Sequence, residues 1–264
     1  MKKILLSLVS LALTGCVSGY SQFYKPIEGA TPEVISSIRS APPSTNPKVH
    51  HISTVPDFEH YMRLGYVQIG YSSFNSGRNE TEQGAISQAI KVGADLVVIV
   101  NPQYTGSVTS QMPLTTPTTT TSYSSGSATA YGSGGTATVY GNATTTTYGS
   151  QTTYVPVTVN RYDYGAVYFI KRKFSFGAVF RDLNNEERNS LQTNSGVYIT
   201  IVVNETPAFY SDILVGDIIV KIDGNPIHGS QAASDIFGTK QGQEIVLSIY
   251  RNGQILEKKV KLDT

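Results

Sequence analysis

The segment Ile218-Ile219-Val220-Lys221-Ile222-Asp223-Gly224 does most to limit how this chain can fold. Ile218, Val220 and Ile222 alternate with Ile219, Lys221 and Asp223, the period of a strand with one face in a core. Asp223-Gly224-Asn225-Pro226 then reverses the chain, because Asp-Gly tolerates positive φ and proline cannot continue a ladder. The same logic repeats on either side. Val197, Ile199, Ile201 and Val203 alternate ahead of Asn204-Glu205-Thr206-Pro207. Ile245, Leu247 and Ile249 alternate ahead of the hairpin signal Asn252-Gly253, and a further strand is predicted from Ile255 to Leu262. Ser230 to Gly238 reads as a short helix with Ser230 as N-cap and Gly238 just past its end. Five or so strands with one or two short helices in about ninety residues make a domain of ordinary size.

Four segments of this region, in order, resemble a PDZ domain of the type found in HtrA-like periplasmic proteases. They are Ser175 to Leu183 with Glu186-Glu187, Gly196-Val197-Tyr198-Ile199 with Thr206-Pro207-Ala208, Leu214-Val215-Gly216-Asp217-Ile218-Ile219 with Ile222-Asp223-Gly224, and Tyr250-Arg251-Asn252-Gly253. Ser211-Asp212 departs from the Ala-Gly usual in that family. The resemblance implies an α+β fold ending in a five- to six-stranded, partly open barrel with one or two short helices. It also implies a groove for a peptide C-terminus. A run of free backbone N–H groups makes an anion nest, and the adjoining strand edge accepts the peptide as an added strand. Carried over, Phe176, Gly177 and Ala178 bind the carboxylate and Val179 and Phe180 form the edge. Ala233, Ile236 and Phe237 line the pocket for the last side chain. Gly177 suits the loop because a residue without Cβ lets it turn and lets a ligand approach the backbone. A groove that is blocked, or that packs on the protein's own N-terminal part, is the alternative.

The start of the chain carries a different signal. Met1-Lys2-Lys3 is a basic n-region, Ile4 to Leu13 an apolar run too short to span a bilayer, and Leu13-Thr14-Gly15-Cys16 resembles the bacterial lipobox. Cys16 is the chain's one cysteine, so no thiol is left for a disulfide, metal site or nucleophile. Residues 1–15 are therefore expected to be a lipoprotein signal peptide and Cys16 the lipidation site. Several acyl chains give a stable membrane anchor. Val17 stands where the resemblance would place an inner-membrane retention aspartate, which favours the outer membrane, facing the periplasm. Residues 16–56, with Pro26, Pro32, Pro42, Pro43, Pro47 and Pro56, read as a Pro-rich tether.

Residues 57–173 are expected to form a small α/β domain. Tyr66 to Ser72 alternates as a strand, Thr81 to Val92 has helical spacing behind a cap at Asn79, and Leu96 to Val100 is a buried-strand run. That order suggests a βαβ unit with parallel strands. Tyr164 to Lys173 is a strand that returns to this sheet. Residues 96–160 contain no Asp, Glu, Lys, Arg or His. Within them, 103–158 form an insertion rich in Thr, Ser, Tyr and Gly, which is either a long β-hairpin or largely disordered. Lys171-Arg172-Lys173 reads as a solvated junction.

The formal net charge of +1, near neutral once Lys2 and Lys3 are removed, implies no nucleic-acid partner. No cofactor or metal is expected: adjacent His50 and His51 point opposite ways on an extended chain. A protease of the resembling family needs Gly-Asn-Ser-Gly-Gly, whereas Ser76 and Ser195 lie in Asn-Ser-Gly without the flanking glycines, so no catalytic residue is assigned. Two non-enzymatic readings stay open. One is an anchored adaptor that binds C-termini or extended segments of envelope proteins. The other is a structural lipoprotein that assembles, as a homo-oligomer, through its β-arm and α/β domain with a non-binding groove.

Overall fold

A computed structural model describes residues 17–264. The expected signal peptide and Cys16 lie outside the described residues. In chain order the elements are α1 (Gly19–Gln22), β1 (Tyr24–Pro26), α2 (Pro32–Ile38), β2 (Lys48–Ile52), α3 (Phe58–Arg63), β3 (Tyr66–Ser76), α4 (Glu82–Lys91), β4 (Leu96–Gly132), β5 (Gly135–Lys171), β6 (Ala178–Asp182), α5 (Asn185–Leu191), β7 (Val197–Val202), α6 (Pro207–Tyr210), β8 (Ile218–Ile222), β9 (Asn225–Pro226), α7 (Ser230–Thr239), β10 (Glu244–Arg251) and β11 (Gln254–Lys261).

The first sheet has the order β1-β3-β5-β4-β2. The expected strand, helix and strand are present as β3, α4 and β4, but the return strand β5 lies between β3 and β4. Leu96, Val97, Val98 and Ile99 are buried, as the apolar run requires. One face of the sheet packs Leu96, Val98, Val167 and Phe169 against Tyr61 of α3 and Tyr66. On β3, Ser72 donates from Oγ to the Tyr20 carbonyl at 2.7 Å, which fixes the N-terminal turn to the sheet.

The stretch read as a Pro-rich tether is folded from residue 17 onward. Tyr20 is 2 % exposed and stands edge-on to Phe74, with ring centroids 5.2 Å apart. β1 pairs antiparallel with β3, and β2 pairs parallel with β4 from Lys48 beside Leu96 to Ile52 beside Val100. The prolines sit where they cost no ladder bond. Pro26 ends an edge strand and Pro32 opens α2 behind its Thr31 cap. Proline count alone therefore misjudged this segment.

Residues 104–162 form a separate compact unit. It is a single hairpin made by the outer parts of β4 and β5, turning at Ser133-Gly134. Thr109 and Thr158, Thr115 and Thr152, and Thr129 and Thr138 meet through their hydroxyls at 2.8, 3.0 and 3.1 Å. Cross-strand Thr pairs of this kind contribute roughly 0.2–1 kcal/mol each.

The second sheet has the order β11-β10-β8-β7-β6, with β9 paired to β8, and it is partly open. Its core gathers Val197, Ile199, Ile219, Ile222, Leu247 and Ile249 from the alternating strands. Asp217 is 1 % exposed and takes both arms of Arg251, at 2.6 Å to Nε and 2.7 Å to a terminal nitrogen, while accepting from the Leu214 amide at 2.8 Å. This bidentate pair pins the turn before β8 to the end of β10. Arg251 is itself 18 % exposed, so the pair joins a buried carboxylate to a partly solvated cation. The helix predicted from Ser230 to Gly238 is α7, but Gly229 is its N-cap and Gly238 lies inside its last turn.

Candidate peptide cleft

β6 is the last strand of its sheet, so one of its edges has no strand beside it among the described residues. That edge faces α7, and a cleft of about 420 Å³ opens between them, lined by Phe174 to Phe180 and, on α7, by Ser230, Ser234 and Phe237. The two walls are tied at both ends. At one end Asp182 of β6 accepts from the Ser230 amide at 2.6 Å, which supplies α7 with a cap its own Gly229 cannot provide. This hydrogen bond holds the Asp182 carboxyl below the usual carboxylate range. At the other end Ser175 donates from Oγ to the Phe237 carbonyl at 3.1 Å.

Between these ties lies an aromatic stack. Phe176 and Phe237 lie 4.2 Å apart at an interplanar angle of 5°, and Phe180 stacks on Phe237 at 5.5 Å. Such pairs add about 0.5–1.5 kcal/mol beyond the area they bury. Together they give the cleft an apolar floor. A register shift between Val179 and Phe180 marks a bulge on the open strand.

The loop expected to hold a carboxylate leads directly into β6. Phe176 and Gly177 spend their carbonyls on the Ala208 and Val203 amides, both at 2.8 Å, while their own N–H groups donate to no acceptor among the described residues. Two adjacent free amides at the mouth of an open strand edge have the chemistry of an anion nest.

Gly177 has φ +92, a conformation that side-chain-bearing residues rarely adopt. The fold itself also requires glycine here. A Cβ at this position would meet Thr206, with Oγ1 at 2.0 Å and Cβ at 2.2 Å, inside the fold and away from the cleft. Thr206 is itself buried and hydrogen-bonded to the Val203 carbonyl at 2.7 Å, so it cannot step aside.

Of the three residues expected on the helix wall, one lines this cleft. Ala233 is fully buried in the domain core and Ile236 packs against that core, so neither lines the cleft; Phe237 does. The core takes the more apolar stripe of α7 and turns Ser230 and Ser234 to the cleft. Phe176, Gly177, Ala178, Val179 and Phe180 all line it.

Sequence reasoning missed the cationic rim. Arg172 and Lys173, read as a junction, line the same cleft next to the free amides, with Ser37 and Ile38 beside them. The Lys173 amide donates to the Ile38 carbonyl at 2.8 Å and the Arg172 amide to the Gly65 carbonyl at 2.9 Å, so this connector is held in place. Neither cation forms an ion pair among the described residues. The available signal was adjacency: the three basic residues stand immediately before the loop.

Ser195 Oγ lies 3.3 Å from His228 Nδ1, brought there by the bridge between Gly196 and His228. No carboxylate partners that imidazole among the described residues, so the pair lacks the orienting group of a triad.

Gly177→Val is expected to destabilise the fold by several kcal/mol, through the positive φ and the clash with Thr206. A thermal melt lowered by well over 5 °C checks this; an unchanged melt would contradict the packing described.

The PDZ domain family profile matches residues 175–262. The serine protease Do-like HtrA of Bacillus subtilis (strain 168) is 36 % identical over 74 residues, which is 27 % of this chain. The match spans only 16 % of that protein's length. Among solved structures, an HtrA3 PDZ domain bound to a phage-derived ligand (FGRWV) is similar at 24 % identity and TM-score 0.31, covering 34 % of this chain and 86 % of that one. The HtrA-type protease AlgW with decapeptide is similar at 20 % identity and TM-score 0.30, covering 37 % and 36 %. What matches is the PDZ part of HtrA proteases and not their catalytic domain, and the C-terminal third of this chain is a PDZ domain.

Proposed function

We propose that this protein is a lipid-anchored, non-enzymatic adaptor of the cell envelope whose PDZ domain captures C-termini or extended segments of other proteins. The observation that carries the reading is the pairing of an open strand edge with two free amides at its mouth. A peptide laid along β6 would complete the ladder, and its terminal carboxylate would accept from the Phe176 and Gly177 N–H groups. Arg172 and Lys173, which form no ion pair among the described residues, suit the same anion from the rim. The stacked floor of Phe176, Phe180 and Phe237 suits an apolar last side chain.

The lipobox-like Leu13-Thr14-Gly15-Cys16 supports the anchor, and Val17, where a retention aspartate would stand, supports delivery to the outer membrane, facing the periplasm. Cys16→Ser is expected to abolish incorporation of labelled palmitate in cells; label retained by the variant contradicts the anchor.

The binding reading is tested by screening displayed decapeptides with free C-termini against the protein, then measuring the tightest as free acid and as amide by calorimetry. Amidation is expected to weaken binding about tenfold or more, the scale of one lost charge-assisted contact. Arg172→Gln with Lys173→Gln is expected to weaken the free acid several-fold, most at low salt. Equal affinity of acid and amide, or no saturable binder, overturns the reading.

A further inference from the structure

The hairpin of residues 104–162 is absorbed by none of this, and its side chains are sorted. In the three Thr pairs that cross it, the two residue numbers always add to 267, so the register does not slip between residues 109 and 158. Side chains alternate along each strand, so this register assigns every residue to a face. Every Val, Leu, Met and Ala between residues 108 and 159 falls on one face, and all five tyrosines from Tyr123 to Tyr154 fall on the other.

The aliphatic face is itself graded. Val108, Met112, Leu114, Val155, Val157 and Val159 crowd its base, the middle is threonine, and the tip carries only glycine, alanine and one valine. This face is uncovered among the described residues: Met112 is 59 % exposed and Leu114 54 %. The outer edges are open as well, since β2 pairs β4 only as far as Val100 and β3 ends at Ser76. Natural edge strands of such length are guarded by charged residues. This ribbon has none between residues 96 and 160.

We infer that the arm is a dimerisation element whose partner is the arm of a second copy, stacked on it with the aliphatic faces together and the strands running oppositely. Three features select that occupant. The stretch from residue 108 to 132 is about 80 Å long and the two-stranded ribbon about 10 Å wide, roughly 800 Å² per face. Two such faces bury about 1,600 Å², the size of a standard specific interface. A two-fold arrangement sets the bulky base of one copy over the Gly/Ala tip of the other, large against small, at both ends at once. It also leaves the tyrosines in water, where their hydroxyls are satisfied.

The test uses the full chain carrying Cys16→Ser, so that no lipid drives association. Sedimentation equilibrium is expected to give twice the chain mass at micromolar concentration. Met112→Lys with Val155→Lys places two ammonium groups on one rung of the aliphatic face and is expected to weaken the dimer about a hundredfold. Thr119→Lys with Tyr148→Lys places the same charges on one rung of the other face and is expected to leave it within about threefold, since charges left in solvent cost little. A Cys16→Ser chain with its arm unaltered that stays monomeric overturns the inference, as do two arm variants with equal effect. So does a monomer that sediments with phosphatidylglycerol vesicles only while Met112 and Val155 are intact, which would assign the face to a membrane.

Discussion

The cleft depends on the two ties that hold α7 against β6. A strand edge and a helix have no reason of their own to stand a peptide's width apart. Here Asp182 reaches from the end of β6 to the first amide of α7, and Ser175 reaches from the loop before β6 to the Phe237 carbonyl near the helix's end. The Phe176 and Phe237 rings, 4.2 Å apart, fill the space between and set the depth. With both ends fixed, the Phe176 and Gly177 amides are held in one orientation by the fold itself. Preorganisation of that kind lowers the ordering cost of binding.

In the same sheet, the ion pair of buried Asp217 with Arg251 holds the frame that β6 hangs on. It joins the turn before β8 to β10, and β7 bridges from β8 to β6. The positive φ of Gly177 belongs to the same frame, because it lets the loop pass against buried Thr206. Glycine serves the fold here, while its backbone N–H stays turned to no acceptor among the described residues.

Much of this was legible in the sequence. Period-two alternation with Asp-Gly and Asn-Gly turns located the strands of the second sheet, and the apolar run at Leu96 to Val100 located a buried strand. The Pro-rich opening was misread because proline is compatible with strand ends and helix starts as well as with tethers, and only position separates them. Ala233 and Ile236 pack on the core side of α7, a phase around the helix that cannot be fixed until the core it faces is known. Arg172 and Lys173 were missed for a related reason. A short charge run is solvated by default, and what makes these two matter is the loop folded beside them. The uncharged arm left two states open from composition alone; its register, once drawn, reveals a segregation of faces that composition hides.

The most direct measurement of the central claim is a titration of the nitrogen-15-labelled protein with the tightest free-acid decapeptide, followed through its amide resonances. Hydrogen bonding to a carboxylate deshields an N–H, so the Phe176 and Gly177 amides should shift downfield and saturate together, and the amidated peptide should leave them in place. Saturable binding that leaves both amides unmoved would show that the peptide is held elsewhere, and would contradict the account.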